Sequence, residues 1–155
     1  MSDKALAVDL RPATRGDVEG IVACVSAAYG PYVERIGRKP GPMLADYAKI
    51  IHEHQVFVAE RAGLVVGVLV LAATPEGFLL ENIAVDPQFQ GKGVGRRMLE
   101  FAESEARRRG FESLYLYTHE KMAENRALYA KIGYVEYDRR VDNGLARVYL
   151  RKRLS

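Results

Sequence analysis

The stretch Glu81 to Arg109, ENIAVDPQFQGKGVGRRMLEFAESEARRR, holds a strand, a glycine loop and a helix in that order. Its start belongs to an apolar run from Phe78 to Val85 with the character of a buried strand. Asp86-Pro87 ends it, because proline lacks the N–H that a ladder needs and biases its predecessor away from helix. Gly91, Gly93 and Gly95 then alternate with Lys92 and Val94. Beyond them Val94, Met98, Leu99, Ala102 and Ala106 recur at helical spacing, which predicts a helix with one buried face. Gly110 supplies a left-handed residue past its end, and Arg107, Arg108 and Arg109 lie where the helix dipole favours cations.

This order builds a site for an anion. The first N–H groups of a helix have no partner within it, and the macrodipole adds partial positive charge there. Glycines let the chain turn sharply and let a ligand approach the backbone, so a phosphate or pyrophosphate is the natural occupant. Gln90, Lys92 and Arg96, interleaved with the glycines, exceed what a tight turn requires. The dinucleotide fingerprint G-x-G-x-x-G does not fit the spacing G-K-G-V-G, and the P-loop pattern is absent.

The run Gln90-Gly91-Lys92-Gly93-Val94-Gly95 fits Q-x-x-G-x-G. It resembles the acyl-coenzyme A pyrophosphate loop of the GNAT family, the GCN5-related N-acetyltransferases, and the preceding NIAVDPQFQ is similar to that family's fourth strand. The segment Glu124 to Tyr134, ENRALYAKIGY, resembles the GNAT motif that follows the fifth strand. Asn125 and Tyr129 there are four apart and share a helix face, with Leu128 and Ile132 expected to pack alongside and Gly133 to cap.

The resemblance implies an α+β fold: a mixed, mostly antiparallel sheet of about seven strands, flanked by about four helices and splayed between strands 4 and 5. It implies acetyl-coenzyme A as cosubstrate, gripped by Gln90, Gly91, Lys92, Gly93, Val94, Gly95 and Arg96. The main chain of Ile83, Ala84 and Val85 would line the pantetheine arm, and Asn125 would bond it directly or through water. Tyr129 is implied as the general acid that protonates the departing thiolate. Glu81 is the best-placed carboxylate to take the amine's proton through water, and Tyr117 competes with it, since some relatives carry a catalytic glutamate at the matching fifth-strand position. The region between the first two helices lines the acceptor pocket in this family, which makes Tyr29, Tyr32, Glu34 and Arg35 candidates for acceptor contact, and Tyr117 on the fifth strand is a further candidate. The acceptor is a primary amine, on a small molecule or as a protein lysine or N-terminus. A longer acyl donor, or a coenzyme A-binding module without turnover, are the alternatives. Many relatives pair through C-terminal strands, so a homodimer is expected.

A chain of 155 residues with 48% hydrophobic and 28% charged content suits one globular domain spanning 1–155. No run approaches the ~18 apolar residues of a membrane span, and Met1 to Leu10 lacks signal-peptide character, so a cytoplasmic protein is expected. A formal charge of +3 suits an anionic cosubstrate and does not argue for nucleic acid. Cys24 is alone and falls in a helical pattern, which makes it a small packed side chain.

Leu6 to Leu10 alternates as a first strand, ended by Arg11-Pro12-Ala13-Thr14. Thr14 and Asp17 form a capping-box variant before a helix whose face is Val18, Ile21, Val22, Val25 and Tyr29. Gly30 to Pro42, with three prolines and three glycines, reads as a loop. Met43, Leu44, Tyr47, Ile50 and Ile51 make the next helical stripe, ending near His52-Glu53-His54. Those histidines do not share a face, so no metal is expected. Gln55 to Glu60 and Leu64 to Ala72 read as a hairpin, and Asn143-Gly144 predicts a second one between Tyr134 to Val141 and Leu145 to Leu150.

Overall fold

A computed structural model describes residues 6–155. Residues 1–5, part of the stretch read for a signal peptide, lie outside the described residues. In chain order the elements are β1 (Asp9–Pro12), α1 (Val18–Ile36), α2 (Gly41–Leu44), α3 (Tyr47–Glu53), β2 (Gln55–Arg61), β3 (Leu64–Thr74), β4 (Gly77–Val85), α4 (Val94–Arg108), β5 (Ser113–His119), α5 (Ala123–Lys131), β6 (Val135–Asp142) and β7 (Leu145–Arg153). The strands form one sheet in the order β1-β2-β3-β4-β5-β7-β6. Every neighbouring pair is antiparallel except β4 and β5, which run parallel. This is the expected α+β architecture with a mixed, mostly antiparallel sheet.

Besides the hairpin of β3 and β4 through Pro75 and Glu76, two tight hairpins follow from positive-φ turn chemistry. Ala62 and Gly63 (φ 50° and 80°) join β2 to β3, and Asn143 and Gly144 (φ 51° and 76°) join β6 to β7. Two central residues with positive φ match the right-handed twist of the flanking strands. The long apolar run of β3 is buried on both faces. Leu69 and Leu71 pack with Met98 and Ala102 of α4, whereas Val68 and Val70 pack with Ile21, Cys24 and Val25 of α1. A strand covered on both sides has no reason to alternate in polarity.

The strand pair at the centre is interrupted. Though β4 has nine residues and β5 seven, they pair only at Phe78↔Leu114 and Leu79↔Tyr115 and then part. Against β3 the register of β4 slips between Asn82, opposite Val70, and Leu80, opposite Leu71, so Glu81 is an extra residue, a β-bulge. One extra residue sends every later side chain to the opposite face. Phe78 and Leu80 accordingly face the α4 side, and Ala84, of the same parity, packs on the α1 side.

Four local expectations need correction. The first strand is Asp9–Pro12, not Leu6 to Leu10. Pro12 is the last paired residue of the strand, opposite Phe57, which is tolerated because β1 is the sheet edge and one side of it needs no N–H. Gly30 to Pro42 is largely helical: α1 runs through Pro31 to Ile36, and Gly37 (φ 88°) caps it, its N–H reaching Val33 O at 2.9 Å. Tyr29, Tyr32 and Ile36 continue the packed face past the proline, so tertiary packing outweighs the roughly 3 kcal/mol that proline costs a helix. The next helical stripe is split in two, α2 and α3. Asp46 accepts the Lys49 N–H to start α3, and Leu44 is exposed. On the amphipathic faces, Val22 and Leu128 are exposed; Cys24 takes the place of the former in the core.

Candidate active site

The parted strands border a cavity of about 260 Å³. Glu81 and Asn82 reach it from β4, Tyr117, Thr118 and His119 from β5, and Tyr29 from α1. Its floor is a buried polar chain. The Tyr29 hydroxyl lies within donating reach of Asn82 Oδ1 (2.7 Å) and Ile83 O (3.0 Å). Asn82 Nδ2 donates to the Tyr47 hydroxyl (3.0 Å), which donates to Pro42 O (2.7 Å). Each buried polar group thereby has a partner, and α1, β4, α3 and the start of α2 are tied together. Burial holds the Tyr29 and Tyr47 phenols above the ordinary tyrosine range, so both stay protonated donors.

Glu81 takes its direction from the bulge. Its Oε2 stands 2.6 Å from His54 Nδ1, at the junction of α3 and β2, and both side chains are about a quarter to a third exposed. Tyr117 lies between charges of opposite sign. Burial raises its pKa, and the nearby Arg147 and Glu81 pull in opposite directions.

On α5, Tyr129 is 7% exposed and packs edge-on against Tyr134, with ring centroids 5.7 Å apart. Burial is the main cause that raises the Tyr129 pKa well above the ordinary value, with a smaller contribution from Tyr32. Among the described residues no protein group takes its hydroxyl. Asn125, one turn earlier, is half-buried.

The glycine loop has the form that anion binding requires. Gly91 and Gly93 have φ of 74° and 86°, where a side chain would be strained, and Gly93 is the N-cap of α4. The first helical bond runs from Arg97 N–H to Gly93 O at 3.0 Å, which leaves the N–H groups of Val94, Gly95 and Arg96 without helical partners. A Cβ at Gly91 would meet nothing within 4 Å, so the loop is open on that side. Gln90 folds back, its Nε2 donating to Val85 O at 3.1 Å. Lys92 and Arg96 are exposed, Arg96 beside Glu100 at 3.5 Å. Asp86 N–H bonds Val66 O on β3 (2.9 Å), so by strand alternation the main-chain groups of Val85 and Ile83 point to the parted edge.

Of the candidate acceptor contacts, Tyr29 and Tyr117 line the cavity with Glu81. Tyr32, Glu34 and Arg35 are not in its wall. Arg35 pairs with Glu124 at 2.6 Å and lies over the Tyr32 ring at 5.1 Å, and Glu34 is exposed. The extra turns of α1 move these three away, and the turn from Pro40 to Pro42 forms the wall instead. Sequence reading missed His54, Tyr47, Asn82, His119 and Arg147. A polar Asn82 within an apolar strand was a usable signal; Arg147, brought in by the last hairpin, had none. Among the described residues no cluster of His, Cys, Asp or Glu is placed to hold a metal ion. Cys24 is buried, which pushes its thiol up to about 12, far from a reactive thiolate.

Residues 52–136, more than half of the chain, match the family model described as Acetyltransferase (GNAT) domain. The chain is 40% identical over 81 residues to an IAA acetyltransferase of Azospirillum brasilense, a match covering 51% of this chain and 53% of that protein. It is 42% identical over 57 residues to the ribosomal protein bS18-alanine N-acetyltransferase of Escherichia coli K12, covering 37% and 38%. These matches span about half or less of the relatives' length. Among solved structures, a GCN5-related N-acetyltransferase from Rhodopseudomonas palustris superposes with a TM-score of 0.80 at 23% identity, over 97% of this chain and 98% of that one. PaiA N-acetyltransferase from Thermoplasma acidophilum, in complex with coenzyme A, gives 0.80 at 15% identity over 96% and 100%. At these identities the likeness concerns the fold. The splayed sheet, the glycine loop at the start of α4 and the matched family model together make the chain a member of the GNAT acetyltransferase family.

Proposed function

We propose that the protein transfers an acetyl group from acetyl-coenzyme A to a primary amine by direct attack while both are bound. The observation that carries this reading is the parting of β4 from β5 beyond Leu79 and Tyr115, with a glycine-capped helix start at one end and a carboxylate-bearing cavity alongside. The residues present fit the cosubstrate. Gly91 leaves an open cradle, the N–H groups of Val94, Gly95 and Arg96 are free for phosphate oxygens, and Ile83 and Val85 offer main-chain groups to an extended arm.

Acetyl-coenzyme A supplies a thioester carbonyl open to attack and a thiolate as leaving group. The chain's own residues manage two protons. The amine must attack unprotonated, and Glu81, with His54 beside it, takes its proton through water. Tyr129 holds its proton at neutral pH, as any phenol does and the more so for its burial, and gives it to the thiolate. The Val85 N–H lies on the parted edge and would meet the negative charge that develops on the thioester oxygen. A C–N bond forms, a C–S bond breaks, and no enzyme nucleophile takes part. Ala84 turns its side chain into the α1-side core and contributes backbone alone. Asn125 remains the proposed contact to the pantetheine arm. Self-association is proposed through the C-terminal strands, where β6 is an edge with most of its residues exposed.

The test is thiol release from acetyl-coenzyme A by the purified protein with and without a panel of amines, beside calorimetric titration of the cosubstrate. Amine-dependent release with measurable binding supports the reading. Absence of cosubstrate binding would sink it.

A further inference from the structure

The cavity is charged differently on its β4 and β7 sides, which β5 separates. Glu81 and its neighbour His54 mark one. At the other, Arg147 of β7 and His119 of β5 face each other across the strand register. Arg147 has only 19% of its side chain exposed, lies over the Tyr117 ring at 4.5 Å, and reaches one carboxylate oxygen, Asp142 Oδ2, at 3.4 Å. That oxygen already accepts the Tyr149 hydroxyl at 2.8 Å. Five guanidinium donors are therefore served by one long, shared contact.

The register sharpens the imbalance. Arg147 is flanked by His119 on one side and Arg140 on the other, a row of basic residues that is unfavourable unless compensated. Arg140 is compensated by Glu76 at 2.9 and 3.0 Å and by Asp138 at 2.8 Å. Arg147 has no such set. His119 Nδ1 accepts the Lys121 N–H at 3.1 Å, so the neutral ring carries its hydrogen on Nε2, as a donor. Gly41 lies beside the guanidinium: a Cβ at that position would stand 3.5 Å from Nη2, in ordinary contact.

We infer that the acceptor is a small amino acid-like zwitterion, whose amine lies toward Glu81 on the β4 side of the cavity and whose carboxylate is bound by Arg147 and His119 toward its β7 side. Tyr117, between the two poles, forms the wall against the acceptor's body. A guanidinium held over an aromatic ring keeps its planar fork of donors, which suits a carboxylate. The volume of about 260 Å³ is at the small end for ligand cavities and suits a molecule of one-residue size.

This inference rests on the acetyltransferase reading, and the test separates the two. Thiol release is measured for sets of three acceptors sharing one side chain: the free amino acid, its carboxamide and the decarboxylated amine. The free amino acid should exceed both others in kcat/KM by about tenfold or more, as for a charge-assisted carboxylate contact. In Arg147→Met that ratio should fall toward one, mainly through KM, and in Arg147→Lys it should be partly kept. Acetyl-coenzyme A affinity measured on the same variants shows whether they are folded and loaded. Equal or better turnover of the carboxamide, as for an N-terminal peptide amine, or of the decarboxylated amine overturns the inference and leaves the acetyltransferase standing. Binding of acetyl-coenzyme A with no turnover of any set overturns it too, whereas failure to bind acetyl-coenzyme A overturns the acetyltransferase reading itself.

Discussion

Tyr129 and Glu81 are surrounded differently, and the difference supports their separate proposed roles. Burial among apolar side chains disfavours the phenolate, so the pKa of Tyr129 is raised. Loss of that proton therefore sets no limit on activity below pH 10, and any fall at acid pH must come from groups that activate the amine. Tyr129→Phe removes the donor and little volume. It should lower kcat about 100-fold and leave acetyl-coenzyme A affinity within roughly twofold; a parallel loss of both would make Tyr129 a packing or binding residue. Glu81 has His54 at 2.6 Å and stands on a bulge. Glu81→Gln should cut kcat/KM by roughly 100-fold at neutral pH, and the deficit should shrink as the pH nears the amine's own pKa, near 10 for an alkylamine. A deficit constant with pH removes Glu81 as the base. The acidity of Glu81 and the apolar flanks of Tyr129 were legible in the sequence, but its partner His54 was not. That contact joins residues 27 positions apart on α3's end and β4.

At the scale of the element, the strand–loop–helix unit from β4 to α4 behaves almost as local rules require. Proline ends the strand, positive-φ glycines make the loop, apolar spacing buries Met98, Leu99 and Ala102, and Gly110 (φ 84°) follows the last turn. Gly93→Asp introduces a side chain at φ 86°, which costs about 1–2 kcal/mol in a left-handed position, and sets a negative charge where phosphates are proposed to sit. The expected outcome is a modest drop in melting temperature and at least 100-fold weaker acetyl-coenzyme A binding by calorimetry. Unchanged affinity would contradict the loop's role. The N-terminal helix was less legible. Thr14 and Asp17 do pair, in the short 3-10 turn that leads into the helix: Asp17 accepts Thr14 N–H at 2.7 Å while Arg11 grips both its oxygens at 2.8 Å; the helix itself runs further than its glycine and proline suggest. A proline and a glycine at positions 30–31 signal a stop only where no core holds the helix together.

For the whole molecule, the parted strands have a thermodynamic consequence. The sheet's two halves, β1 to β4 and β5 to β7, are joined across the centre by two residue pairs between β4 and β5, so a ligand held along both strands should stabilise the fold. Acetyl-coenzyme A at about 100 times its Kd should add roughly 2.7 kcal/mol and raise the melting temperature by roughly 5–10 °C. No shift at saturating concentration would place the cosubstrate elsewhere or nowhere. The molecule's most local features were within reach of the sequence alone: strand composition, the glycine loop, both hairpin turns and the helix spacing of α4, all set by backbone geometry and by polarity over a few residues. Tertiary structure alone decided the rest. The bulge at Glu81 depends on how β3 pairs with β4, the continuation of α1 through Pro31 depends on the core beneath it, and the meeting of Glu81, His119 and Arg147 around one cavity depends on where three distant strands and their helices come to rest. Local propensity acts on neighbours in the chain, whereas burial and register act on neighbours in space.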